Sequence, residues 1–295
     1  MLLVRTVNLI LGFAAILVLA GNASAQPTPI AFNSIPHPAA KLNALIGYRS
    51  KLIAGNADGI FVSADNGQTW VAQNNRLPSP IQVFELVTLN NLIFAATDKG
   101  LWKSDNEAQS WSDATPITLT NQTFKALHIM GSNIFAGTST SNYTGKIMLS
   151  SDFGQSWIDV TPAGSSGLSL YEQVVNFSSV GNTIFALSGN QRLYKSSDNG
   201  KSWRVISGWP NIAIATSGPI MYATGIRYAT TGRYALRLSS TDLGDSWYEI
   251  QNVFGRHLLP EFYSLVVSGT NILFLYNDIV SGGCNPNLSP SVRNS

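Results

Sequence analysis

Apolar and polar positions alternate along most of this chain in short runs broken by glycine, asparagine and aspartate. Val83 to Gly100, Phe124 to Gly137 and Val174 to Gly189 each show one order: an alternating run, a Gly/Asn turn, then an Ile-Phe-Ala run led by Ile93, Ile134 or Ile184. A third run follows, such as Leu101-Trp102-Lys103-Ser104 or Leu193-Tyr194-Lys195-Ser196, and a fourth begins at a tryptophan. Period-two alternation of β-branched and aromatic residues between turn formers is a strand signal. No stretch after the first 25 residues sustains a helical period, so the pattern predicts an all-β chain.

The runs are copies of one unit. Ser63-Ala64-Asp65-Asn66-Gly67-Gln68-Thr69-Trp70 recurs at 150–157, 196–203 and 240–247, each copy keeping Ser, Asp, Gly, a hydroxyl residue and Trp at the same offsets. A degenerate copy occupies 104–111. Trp70, Trp111, Trp157, Trp203 and Trp247 are spaced by 41, 46, 46 and 44 residues, a length that holds four short strands and their turns.

The turn chemistry gives each repeated residue a task. Asp65, Asp152, Asp198 and Asp242 can accept backbone amides two or three residues ahead, and Gly67, Gly154, Gly200 and Gly244 supply the positive φ of a tight hairpin. The hydroxyl residues close the remaining hydrogen bonds. Each tryptophan is expected in the core, where such a side chain buries roughly 150–250 Å². A residue needed once for chemistry would not recur in every unit, so these aspartates read as turn formers and not as catalytic carboxylates or metal ligands. In the degenerate copy Asn106 stands for Asp and Ala108 for Gly. Alanine resists positive φ by about 1 kcal/mol, so an altered hairpin is expected there.

Composition narrows the remaining classes. Residues 1–25 carry Arg5, an apolar run from Leu9 to Ala20 and a terminal Ala23-Ser24-Ala25, the pattern of a cleavable signal peptide. The chain is therefore expected to be exported, secreted or periplasmic, with no membrane span after cleavage. Arg5 aside, 17 of the 18 basic side chains face 16 acidic ones, which gives no excess to attract nucleic acid or anionic lipid. The lone Cys284 excludes an internal disulfide. His37, His128 and His257 show no ligand spacing, so neither a metal nor another cofactor is expected. Sequons at Asn121, Asn142, Asn176 and Asn287 would matter only in a eukaryotic secretory route.

The repeated Ser-x-Asp-x-Gly-x-Ser/Thr-Trp turn resembles the Asp-box, or bacterial neuraminidase repeat. That repeat is found in sialidases, sortilin-type receptors, some xyloglucan-degrading enzymes and photosystem II stability and assembly factors. The match covers nearly all of residues 40 to 280 and is closest in regularity to the receptor and assembly-factor types. It implies a β-propeller of four-stranded blades over 26–280, about six of them, five with Asp-box turns and the last incomplete or composite; a truncated seven-bladed form is the alternative. In that family the box joins the third and fourth strands, and ligands bind at the opposite face. The resemblance therefore directs attention to loops between second and third strands and between blades, with candidate ligand-face residues Asp58, Arg76, Asp98, Tyr143, Glu172, Trp209, Arg227 and Tyr228.

A sialidase needs three arginines converging on a carboxylate, and its family opens with Arg-Ile-Pro where this chain has Ser34-Ile35-Pro36. Short, near-uniform repeats leave little insertion length for a deep pocket and suit a broad binding surface. The expected function is a monomeric, non-catalytic binding or assembly module for a protein or glycan ligand; the alternative is a glycoside hydrolase. Glu261 to Asn277 repeats two strands of a sixth unit, after which no further box follows. Residues 281–295 are expected to be a poorly ordered tail, and Pro29 to Asn33 to pair with the last strands.

Overall fold

The computed structural model describes residues 42–120, 122–141, 145–162, 173–207, 211–229, 232–250, 260–268 and 271–278. The leader at 1–25, the Pro29 to Asn33 segment and the 281–295 tail lie outside these residues.

The described chain is strand, turn and one 3-10 turn at Ile117–Leu119. The first sheet comprises β1 (Leu42–Tyr48), β2 (Lys51–Asn56), β3 (Gly59–Ser63) and β4 (Val71–Ala72), and the second β5 (Val83–Leu89), β6 (Leu92–Thr97), β7 (Gly100–Ser104) and β8 (Ser112–Asp113). The third holds β9 (Thr123–Met130), β10 (Asn133–Ser139), β11 (Ile147–Ser150) and β12 (Ile158–Asp159). The fourth holds β13 (Val174–Val180), β14 (Thr183–Ser188), β15 (Leu193–Ser196) and β16 (Arg204–Ser207). The fifth holds β17 (Asn211–Ser217), β18 (Ile220–Ala229), β19 (Gly232–Ser240) and β20 (Tyr248–Glu249). Each is a four-stranded antiparallel meander, and β21 (Pro260–Ser268) with β22 (Asn271–Asp278) forms a two-stranded sixth.

The second and third strands of the first four sheets are buried along most of their length because neighbouring sheets cover them, while the short fourth strands β4, β8 and β12 are exposed. Ile46, Ile53 and Ile60 of the first sheet meet Leu86, Ile93 and Trp111 of the second in one buried cluster. Phe94 and Leu101 then meet Phe124, Ile134 and Met148; Phe135 and Leu149 meet Phe177, Ile184 and Tyr194; and Phe185 and Leu193 meet Met221 and Leu238. The core is thus a series of seams between successive sheets. First strands pack on first strands, β1 on β5, β5 on β9, β9 on β13, β13 on β17 and β17 on β21, which makes them the inner row.

Trp111, Trp157, Trp203 and Trp247 join the seam in front of their own sheets, whereas Trp70 packs on Leu45, Leu52 and Phe61 of its own sheet. Trp70, Trp111 and Trp203 are buried, and Trp111 is only 1% exposed. Trp157 and Trp247 are half-buried at the margins of their clusters. The indole Nε1 of Trp111 donates to Gln73 O and that of Trp203 to Val160 O, both at 3.0 Å, so these rings also tie down the chain leaving the preceding sheet.

Candidate functional site

The meander sorts the connections to two ends. The β1–β2 and β3–β4 turns, with their counterparts, lie at one end; the β2–β3 turns and the links from sheet to sheet lie at the other.

At the first end, the repeated turn consumes its own polar groups. Asp65 accepts the Thr69 amide at 2.8 Å and the Thr69 hydroxyl at 2.6 Å, while Ser63 donates to Asp65 at 2.7 Å and accepts the Gly67 amide at 2.8 Å. The same set recurs at Asp152 with Ser150, Gly154 and Ser156, at Asp198 with Ser196, Gly200 and Ser202, and at Asp242 with Ser240, Gly244 and Ser246. The main amide accepted lies four residues ahead, one further than the sequence suggests. Hydrogen bonds from the hydroxyl and amide of that residue hold Asp65, Asp152 and Asp198 down to about 2, and Asp242 well below the usual carboxylate range.

The degenerate turn is not altered. Asn106 Oδ1 accepts the Ser110 amide at 3.0 Å, its Nδ2 donates to Ser110 Oγ at 2.8 Å, and Ala108 adopts φ 67°. A Cβ on Gly154 would lie 2.7 Å from Phe94 and one on Gly200 2.9 Å from Phe135. In the first sheet the strand position matching Phe94 holds Ile53, as the register of β2 against β1 and of β6 against β5 shows. Ala108 and Ile53 share one buried cluster, so the shorter side chain leaves room for the methyl.

The same end carries cross-seam ion pairs. Glu107, in the second sheet's turn, pairs with Arg49 and with Lys51 at 2.7 Å from the first. Asp245, in the fifth sheet's turn, pairs with Arg204 and with Lys195 at 2.9 Å from the fourth.

At the opposite end, Asp58 is exposed in the β2–β3 turn, Asp98 sits in the β6–β7 turn, and Arg76 lies on the link from the first sheet to the second with φ 70°. Asp98 is built into its turn: Oδ1 accepts the Gln82 amide at 2.7 Å, and its own amide donates to Gln82 O at 3.0 Å. Asp58 borders a depression of about 210 Å³ lined also by Asn74, Leu77, Pro78, Pro80 and Ile81. Arg227 and Tyr228 are not in a loop. They continue β18, opposite Tyr234 and Arg233 of β19, because a regular ladder extends to Ala229 and Gly232. Tyr143, Glu172 and Trp209 lie outside the described residues.

A group that the repeat drew attention away from lies at this end too. Every inner strand carries one extra residue near its start: Asn43, Phe84, Lys125, Val175, Ile212 and Tyr263 fall at register shifts against the second strand. Such bulges re-aim side chains and are common beside functional sites. Asn43 Nδ2 donates to Val83 O at 2.8 Å, and Lys125 Nζ sits 3.5 Å from the centroid of the Phe84 ring, so these positions link neighbouring sheets. Burial pulls the half-buried Lys125 ammonium below its ordinary value, while the Asp98 charge works against that pull. Beside Phe84, Glu85 is buried at 6% exposure and accepts the Leu127 amide at 3.0 Å. Burial pushes its carboxyl up to about 8, opposed by that one amide. The sequence signal was present: Glu85 is the one charge in the apolar run Val83 to Leu89.

Among the described residues, no cluster of His, Cys, Asp and Glu could hold a metal ion, and no helix is long and apolar enough to cross a membrane. The sequence matches no family model and no curated protein. Solved structures do resemble it. An ancestral GH74 enzyme superposes with TM-score 0.64 at 20% identity, over 81% of this chain and 35% of that one, so this chain spans about a third of that enzyme's length. YCF48 bound to D1 peptide superposes with TM-score 0.62 at 13% identity over 95% and 91% of the two chains, and YCF48 from Cyanidioschyzon merolae with 0.60 at 12% over 89% and 86%. At these identities the likeness is one of fold. With its four-stranded meanders stacked through inner first strands, the chain is a β-propeller.

Proposed function

We propose that this protein is an exported, non-catalytic binding or assembly module that holds a macromolecular partner on the face of the β2–β3 turns. The observation that carries this reading is the character of that face. Its turns are short, its described carboxylates are isolated or tied into turns, and the depression beside Asp58, at about 210 Å³, is smaller than the roughly 300 to 1,000 Å³ of ordinary small-molecule sites. A small depression lined by Asp58, Asn74 and apolar side chains beside a short turn suits contact with a protein or peptide. YCF48, whose length this chain nearly matches, is a propeller seen with a bound peptide. Export rests on the leader-like pattern of residues 1–25.

A glycoside hydrolase is the second reading, favoured by the likeness to the GH74 enzyme. Two carboxylates flanking a glycosidic bond would be required, and Asp58 and Asp98 are the first to examine. Purified protein incubated with chromogenic glycosides, including a sialoside, is expected to show no turnover. Turnover that disappears in Asp58→Asn or Asp98→Asn would reverse the ranking.

A further inference from the structure

We propose that Glu85 is a proton-operated latch on the seam between the second and third sheets, whose deprotonation opens the end of that seam beside Phe84 and Lys125. The first and third inner strands place Ala44 and Ala126 at the register position that Glu85 occupies, and both methyl groups are fully buried. Glu85 therefore puts a carboxyl into a space that its neighbours fill with a methyl. Its hydrogen bond from the Leu127 amide spans the seam directly, from β9 to β5.

The strands packed around β5 offer little to balance a charge. Their titratable or cationic side chains are Lys125 and His128 on β9, with Tyr48 on β1 and Lys51 on β2; β6 has none, and Asp98 follows it in the turn. Lys51 is paired with Glu107, His128 with Ser179 Oγ, and the Tyr48 hydroxyl with Asn91 O, and Lys125 lies over Phe84. Among the described residues no cation forms an ion pair with Glu85. A single amide does not replace the hydration of a buried carboxylate, so ionisation favours a state in which water reaches it.

The direction with pH follows from the raised value. Below the ordinary carboxyl value of 4.5 both folded and unfolded chains hold the proton, and the seam has its full stability. Between 4.5 and about 8 the unfolded chain releases a proton that the folded chain keeps, so stability falls as pH rises. Around and above 8 the folded chain loses it too, and the seam opens. The consequence for a partner rests on the proposed binding face; the opening itself does not.

The test uses the full chain and Glu85→Gln, unfolded in urea from pH 5 to 9, with NMR of the Glu85 carboxyl carbon and the Leu127 amide. The ratio of wild-type to variant unfolding constants is expected to climb with pH, by up to about tenfold per unit, and to level off above pH 8. In the wild type the Leu127 amide should shift in step with the carboxyl, and amides along the seam should exchange faster than in the variant once Glu85 ionises. Parallel stability curves, or a carboxyl that titrates near 4.5, would overturn the proposal. Should Glu85→Gln not fold, the wild-type titration decides alone. No partner enters the measurement, so failure of the proposed binding role leaves its outcome intact.

Discussion

Lys195 Nζ lies 2.9 Å from Asp245 Oδ1, so a lysine side chain only 8% exposed in the fourth sheet is neutralised by a turn of the fifth. Asp245 is half exposed and also receives Arg204. Lys195, then Arg204, hold its carboxyl below the ordinary range. Asp245→Asn leaves the buried ammonium without its counter-charge. Loss of a buried partner costs about 3–5 kcal/mol, and the solvent around Asp245 reduces this to about 1–3 kcal/mol. Denaturant midpoints of the two proteins measure it, and Lys195→Met in the Asp245→Asn background should recover part of the loss.

Acid acts on the repeated turns. Asp65, Asp152 and Asp198 sit near 2 when folded, against an ordinary 3.8. Their contribution is complete above about pH 4 and is lost as pH falls toward 2, the opposite direction to Glu85. Asp152→Asn should fold, because Asn106 makes the same turn without charge, donating from Nδ2 to Ser110 Oγ. It should also lose less stability between pH 4 and 2 than the parent does. Thermal melts across that range check both points, and an unchanged acid slope would remove Asp152 from the account.

Gly154→Ala places a methyl against Phe94 at positive φ. Overpacking of this kind costs about 1–3 kcal/mol, with about 1 kcal/mol added by the backbone. Phe94→Ile recreates the pairing seen between Ala108 and Ile53. The double variant should therefore lose less than the sum of the single changes, by about 0.5–3 kcal/mol, as a double-mutant cycle in urea would read.

The five-fold turn makes the sheets legible in the sequence alone, because Asp, Gly and Trp at fixed offsets leave a hairpin few alternatives. Ala108 misled for a physical reason: its tolerance depends on Ile53, 55 residues away (108 − 53), which no local rule contains. Arg227 and Tyr228 misled differently, since glycines at 225 and 232 suggest a loop, whereas the ladder of β18 with β19 runs past the first and begins at the second. The inner-strand bulges were hidden because alternation looks intact on either side of one extra residue. Glu85 was visible as a charge in an apolar run, but its burial follows only from the sheet stacked beside it.

The bulges also bear on how this face can change over time. Within a regular strand, residues alternate between two crowded seams, and a new side chain disturbs one of them. The inserted residue interrupts that alternation, reaching a neighbouring sheet at Asn43 and Lys125 and packing beside a seam at Val175, and in this chain the six positions hold six different residues: Asn43, Phe84, Lys125, Val175, Ile212 and Tyr263. Amide, aromatic, ammonium and aliphatic groups thus occupy one structural address in otherwise similar sheets. Variation can accumulate there one substitution at a time while the frame keeps its register, which lets the same architecture acquire new specificities without being refolded.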